Sequence, residues 1–305
     1  MATIGITGGT GFVGQHLSRL LVSKGYQVII FTRGQAKAAQ GNIAYAHLDA
    51  TKQECDTDAL GKLDAIVNLA GAGIADERWS DKRKKEIVES RVNFTDFLVA
   101  QMKLFAPNCK TFISTSATGY YGGDRGDARP FTETSIPSSD FLGNTCQQWE
   151  DAAHKTEPTV RTVILRFGIV LGKESGAFPV LSRPLSFGIK PILGSGTQMV
   201  SWIEVDDLAR MIVFALEQKE LTGIYNAVAP TPVTHRTLMN TIGKVKGGIH
   251  LPVPAPAFAL KIILGEMSIE VLQSCTVSAQ KIQDAGFTFN YPDIVSATKA
   301  ILGKG

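Results

Sequence analysis

Ile4-Gly-Ile-Thr-Gly-Gly-Thr-Gly-Phe-Val-Gly14 is the stretch that decides the fold of this chain. A short apolar strand runs into Gly8, Gly11 and Gly14, spaced G-x-x-G-x-x-G. A helix follows with Phe12, Val13, Leu17, Leu20 and Leu21 at helical spacing. In such a strand–turn–helix the first glycine permits a tight turn and the second lets backbone approach a pyrophosphate. The third allows the helix to pack closely on the strand. N–H groups at the helix start then face the phosphates, reinforced by the helix dipole. An ordinary glycine-rich turn is the competing reading. The preceding strand and the amphipathic helix favour dinucleotide binding, through Thr7, Gly8, Gly9, Thr10, Gly11, Phe12, Val13 and Gly14.

Outward from this loop, the pattern predicts strands over residues 3–7, 27–32, 44–48, 65–69, 111–115 and 162–167, with helices between them, notably over 80–104 and 141–155. That alternation specifies an α/β fold of Rossmann type, a doubly wound parallel sheet with right-handed crossovers. A further helix over 206–216 and a strand over 223–227 rejoin the sheet. We expect a dinucleotide-binding domain over 1–229, with 173–200 contributing to a substrate lobe, and a smaller, mostly helical C-terminal lobe over 230–305. Ligands of such sheets lie beyond the carboxyl ends of the strands.

The second strand reads Val28-Ile-Ile-Phe-Thr-Arg33-Gly34. An acid at its tip would accept from a ribose 2′-hydroxyl, whereas an arginine suits a 2′-phosphate. Arg33 therefore points to NADP(H), a surface arginine after a strand being the other reading. Asp49, ending the third strand, either approaches the adenine amino group or caps a helix.

Composition narrows the partners. The chain has 305 residues, 44% apolar and 19% charged, with net charge +3. Such a chain buries a sizeable core, and its mild charge gives no warrant for nucleic acid or an anionic membrane. The basic run 81–86 is flanked by acids and reads as a solvated helix face. Cys55, Cys109, Cys146 and Cys275 are scattered, as reduced thiols are. The first strand starts at residue 3, leaving no room for a leader, and no apolar run reaches membrane-span length. A cytoplasmic protein is expected, with a small-molecule substrate; a homodimer stays open. Asp206-Asp207 reads as a helix cap with dipole stabilisation, so no metal is assigned.

Four segments carry a family resemblance: Thr7 to Gly14; Asn68-Leu-Ala-Gly-Ala72; Ser114-Thr-Ser-Ala-Thr118 with Tyr121-Gly122; and Trp202-Ile-Glu-Val-Asp-Asp-Leu208. With them the chain resembles the extended short-chain dehydrogenase/reductase superfamily, which contains sugar-nucleotide epimerases and dehydratases. Arg78-Trp79, Ser90-Arg91-Val92-Asn93, Trp149-Glu150, Arg166 to Gly172, Gly265-Glu-Met267 and Ala285 to Pro292 are similar to its epimerase branch with a C-terminal domain of unknown function. The resemblance adds Leu69, Ala70, Gly71 and Arg91 to the cofactor residues.

The resemblance also implies a Ser/Thr, Tyr and Lys catalytic set, with Ser116 polarising the substrate oxygen. The tyrosine register falls on Phe141 and the lysine register on Thr145, and no Y-x-x-x-K occurs in the chain. Tyr120 and Tyr121 are the candidate substitutes, with aromatic packing over the cleft as their alternative. Glu150 is a base if buried, but an exposed or capping carboxylate is the favoured reading. Cys146 is read as a buried helix cysteine. Val200 stands where sugar-nucleotide enzymes carry a diphosphate-gripping arginine; Arg78, Arg183 or Lys190 are alternatives. Two functions follow: an NADP(H)-dependent oxidoreductase or epimerase on a small polar, sugar-like substrate, or a non-catalytic NADPH-binding regulator.

Overall fold

The structure, a computed structural model, describes residues 1–34, 38–126 and 129–304. Its elements begin β1 (Thr3–Thr7), α1 (Phe12–Ser23), β2 (Gln27–Thr32), β3 (Ile43–Asp49), β4 (Glu54–Cys55), α2 (Thr57–Gly61), β5 (Ala65–Asn68), α3 (Asp81–Glu89), α4 (Val92–Phe105), β6 (Thr111–Ala117), α5 (Phe141–His154) and β7 (Arg161–Phe167). They continue β8 (Ile169–Leu171), α6 (Ala177–Ser182), β9 (Ile189–Leu193), β10 (Met199–Val200), β11 (Trp202–Glu204), α7 (Val205–Glu217) and β12 (Gly223–Ala227). The chain closes with β13 (Val233–Thr234), α8 (His235–Lys246), β14 (Leu251–Ala255), α9 (Ala257–Leu264), α10 (Ser268–Leu272), α11 (Gln280–Asp284) and α12 (Ile294–Ile301).

Eight strands form one sheet in the order β12-β7-β6-β5-β1-β2-β3-β4, parallel except for the β3–β4 pair. Order reverses at β1, between β5 and β2, so a crevice opens at the carboxyl end of β1. Strands buried on both faces read as apolar runs, as residues 28–31 and 163–165 do. One core layer, with Leu17, Leu21, Leu208 and Met211, covers one face; another, with Phe97, Leu98, Met102 and Ala153, covers the other. A third cluster joins Phe178, Ile192 and Trp202 to Leu238, Ile242 and Ile301. Val277, Ala279, Ile282 and Phe287 of the C-terminal segment pack into the first layer.

The helix expected over 80–104 is two helices. Ser90 ends α3 and Arg91 turns the chain before α4. Both side chains are drawn to a loop instead: Ala72 N–H donates to Ser90 Oγ at 3.0 Å, and Arg91 Nη2 donates to the Ala72 carbonyl at 2.8 Å.

Candidate functional site

The glycines of the loop do three different things. Gly8 sits at φ +66°, a turn conformation that disfavours other residues, with backbone of Leu69 2.6 Å from where a Cβ would be. A Cβ on Gly14 would lie 2.5 Å from Gly8 and Gly9 backbone, so the helix rests directly on the turn. Gly11 meets only the Gly8 carbonyl, at 3.1 Å, and otherwise faces open space. Among the described residues no side chain caps α1, and its first turn carries no acid, which leaves its leading N–H groups available to an anion.

A cavity of about 820 Å³ spreads from this turn along the ends of β1, β2 and β3. Thr7, Gly8, Thr10, Arg33, Asp49, Ala70 and Gly71 line it. A second cavity of about 340 Å³ shares Gly8, Ala70 and Gly71 with it and adds Gly11, Phe12, Val13, Gly14, Leu69, Arg91 and Ser116. Gly9 lines neither; it packs against Ile30. Arg33 is exposed at the end of β2. Asp49 is buried, and Oδ1 accepts from the Thr51 hydroxyl at 2.6 Å and the Thr51 N–H at 3.0 Å, which hold its carboxyl below the usual range. Arg91 stacks over the Trp149 ring at 5.2 Å, and burial pulls its pKa down. The uncapped helix, the open space at Gly11 and the acid-free tip of β2 fit a dinucleotide with a phosphorylated ribose.

Ser116, next to last in β6, is in register with Arg166 of β7, which is in register with Asn226 of β12. This row of polar residues crosses three buried strands. Ser116 Oγ donates to Glu150 Oε1 at 2.6 Å, and Arg166 grips both oxygens of Glu150 at 2.7 Å. The Arg166 Nη1 donates to the Tyr121 hydroxyl at 2.8 Å, which in turn donates to Asn226 Oδ1 at 2.6 Å. Glu150 is therefore neither exposed nor a cap: Arg166 compensates its charge inside the fold, and both are at most 4% exposed. Arg166 is the residue sequence reasoning missed. A charge inside the apolar run Thr162 to Phe167 was the signal, because a strand buried on both faces admits one only opposite a partner.

The two candidate tyrosines lie apart from the cavities. Tyr121 is buried, stacked on Phe131 at 5.0 Å, and burial pushes its phenol far above the usual range despite Arg166. Tyr120 is half-buried, with its ring under the Arg166 guanidinium at 3.4 Å. Phe141 packs against Trp79 at 5.2 Å, and the Thr145 hydroxyl donates to the Phe141 carbonyl. Burial pushes the Cys146 thiol up to about 12, which keeps it protonated.

At the start of α7, Glu204 is the cap in place of the adjacent aspartates, accepting from Asp206 N–H at 2.6 Å and Asp207 N–H at 3.1 Å. Asp206 instead pairs with His16 at 2.6 Å. Asp207, fully buried, accepts from the N–H groups of Asn290 and Tyr291, tying down the chain end. Arg78 lies against Gly265, and Arg183 and Lys190 belong to the segment after α6 and to β9; none lines either cavity.

A family model described as the NAD dependent epimerase/dehydratase family matches residues 4–227, and a domain of unknown function (DUF1731) matches 255–301. Epimerase family protein YfhF of Bacillus subtilis is 36% identical over 301 residues, covering 98% of this chain and 97% of its own length. A chloroplastic epimerase family protein SDR39U1 homolog of Arabidopsis thaliana is 34% identical, covering 98% of this chain and 86% of its own. Human epimerase family protein SDR39U1, crystallised with NADPH, superposes with TM-score 0.88 at 27% identity over 99% of both chains.

Proposed function

The chain belongs to the NAD dependent epimerase/dehydratase family, and we propose that it is an NADP(H)-dependent oxidoreductase or epimerase acting on a small polar, sugar-like substrate at Ser116. The cofactor residues are Thr7 to Gly14, Arg33, Asp49, Leu69 to Gly71 and Arg91. Support comes from the convergence of all of them but Gly9 on two cavities that share Gly8, Ala70 and Gly71, and from the NADPH in the human relative. When bound, the nicotinamide accepts or returns a hydride.

The observation that carries the reading is the Ser116–Glu150 hydrogen bond at the smaller cavity. A serine hydroxyl has one donor and two acceptor sites, and here the donor is committed to a carboxylate paired with Arg166. Ser116 therefore offers lone pairs to the cavity, suiting it to receive a proton. Oxidation of a substrate alcohol would take the hydride from its carbinol carbon, and the hydroxyl proton would pass to Ser116 Oγ while the serine proton moves to Glu150. The carbonyl product leaves behind a neutral Glu150, and reduction returns the proton along the same path. This pair takes over the task that tyrosine and lysine perform elsewhere.

Turnover is read by nicotinamide absorbance against a panel of sugar-like alcohols and carbonyls. Ser116→Ala should lower the rate roughly 10²-fold or more while leaving NADPH affinity unchanged. Undiminished turnover in that variant removes Ser116 from the chemistry. Arg33→Asp should weaken NADPH roughly tenfold or more and spare NADH, since it loses a charge-assisted bond to the 2′-phosphate. Equal affinity of the unmodified protein for both cofactors overturns the NADP(H) assignment. The sequestered Tyr121 favours a second reading, a regulator that binds NADPH without turnover; tight NADPH binding with silence across the panel selects it.

A further inference from the structure

Two stretches of this chain, residues 175–203 and 221–265, contain no Asp or Glu and carry six Lys or Arg. The net +3 of the whole chain thus conceals a strongly one-signed region, the rest summing to −3. The same stretches hold a concentration of large apolar side chains facing solvent. Phe187 is 76% exposed, Leu251 67%, Phe258 68% and Ile262 70%, with Ile189 and Val253 both at 44%.

These residues lie on elements that follow or pair with one another. Ile189 of β9 is in register with Leu251 of β14, and Leu251 N–H bonds the Gly188 carbonyl beside Phe187. Residues alternating along a strand share a face, which aligns Leu251 with Val253. Pro256 then leads directly into α9, an eight-residue helix without one buried residue. Lys246 donates to Ser182 and Ser186, which brings the end of α8, with exposed Lys244, beside the Phe187 turn. Lys190 lies on β9 and Lys261 on α9, and Arg183 follows Ser182 directly.

We propose that this apolar, basic-rimmed face docks on the surface of a membrane rich in anionic phospholipid, α9 lying in the headgroup layer. Apolar side chains entering the interface and Lys or Arg meeting anionic headgroups are the two terms that drive such binding. Among the described residues no helix is long and apolar enough to cross a membrane, so the contact is peripheral. Charge decides against a second copy as occupant: a two-fold dimer sets a patch against itself, and every charge here would face its like. An added strand is blocked as well. Leu251 and Ala255 bond inward to the β9 side, which turns Pro252 and Pro254, lacking N–H groups, to the free edge.

Sedimentation of the full chain with phosphatidylcholine vesicles, with and without phosphatidylglycerol, tests this. We expect roughly tenfold or stronger association with the anionic vesicles, fading as salt rises. Phe258→Ser/Ile262→Ser should abolish it at any salt, and Lys244→Glu/Lys261→Glu should weaken it selectively for anionic vesicles. NADPH affinity, unchanged in both, certifies that they fold. Equal sedimentation with both vesicle types, or binding that survives Phe258→Ser/Ile262→Ser, overturns the proposal. So does a concentration-dependent dimer in ultracentrifugation that the same variant dissociates, which would assign the face to a second copy.

Discussion

Arg166 shows how a single buried charge organises this site. Its guanidinium is 1% exposed and holds Glu150 in a two-bond grip while supporting Tyr121. Removing one member of a buried pair strands the other, at a cost of about 3–5 kcal/mol, whereas replacing both with apolar groups costs far less. Arg166→Met should therefore lower stability by about that amount, and Glu150→Leu/Arg166→Met should recover most of it; a denaturant series on the two variants checks this. Stability recovered without turnover would separate the pair's structural role from its chemical one. The glycines allow a parallel contrast. Gly14→Ala drives a methyl into the backbone of Gly8 and Gly9 and should destabilise the fold. Gly11→Ala adds a methyl where only the Gly8 carbonyl is near. It should fold and yet lose NADPH affinity, read by nicotinamide fluorescence, because the methyl occupies the phosphate cradle. The packing role of Gly14 was legible from the G-x-x-G-x-x-G spacing. The Ser116–Glu150–Arg166 chain was not, since its members are 34 and 16 residues apart and meet only through β6, α5 and β7.

At the scale of elements, two helix starts carry titratable groups whose burial has opposite consequences. Glu204 caps α7, and burial, followed by Asp206, lifts its carboxyl to about 7, although two backbone N–H groups oppose the shift. A carboxyl raised in the fold binds more protons folded than unfolded, so its contribution falls as pH rises from its ordinary value near 4.5 to about 7. His235 opens α8 with both ring nitrogens buried and without a partner among the described residues, and burial lowers its pKa. The unfolded chain binds that proton more readily, so the contribution of His235 is lost as pH falls below 6.5. Glu204→Gln, which keeps an acceptor for the cap, should gain thermal stability over the unmodified protein progressively between pH 5 and about 8. His235→Leu should gain it in the other direction, toward pH 5. Melting temperatures across that range decide both, and parallel curves for variant and parent would refute the titrations. The strands and long helices around these sites were readable from periodicity. The cap was read two positions late, at Asp206-Asp207, because three candidates within four residues, Glu204, Asp206 and Asp207, compete there and only packing selects Glu204. The split between α3 and α4 escaped for a similar reason: the pull of Ala72 on Ser90 and Arg91 is a long-range contact.

At the scale of the molecule, order reversal in the sheet places the dinucleotide loop, the β2 tip and the β6 end on one rim, and this much follows from strand–helix alternation alone. The C-terminal segment is less readable, since its short elements have no period to betray what they pack against. Its contacts tie it to the sheet and to α7. Val277, Ala279, Ile282 and Phe287 sit in the core layer of Leu17 and Met211, and buried Asp207 holds the Asn290 and Tyr291 N–H groups from inside α7. Peeling residues 230–305 away would bare that apolar layer, which is costly by itself, and would also break the two hydrogen bonds to Asp207. We therefore propose that the lobes over 1–229 and 230–305 do not melt independently. Calorimetry should show a single transition whose calorimetric and van't Hoff enthalpies agree. NADPH at 100 times its dissociation constant stabilises by about 2.7 kcal/mol and should raise that transition as a whole by roughly 5 °C. NADH at the same concentration should move it less, and Arg33→Asp should erase the difference. Two resolved transitions, only the first of them shifted by NADPH, would mean that the nucleotide-binding sheet holds together without its C-terminal segment.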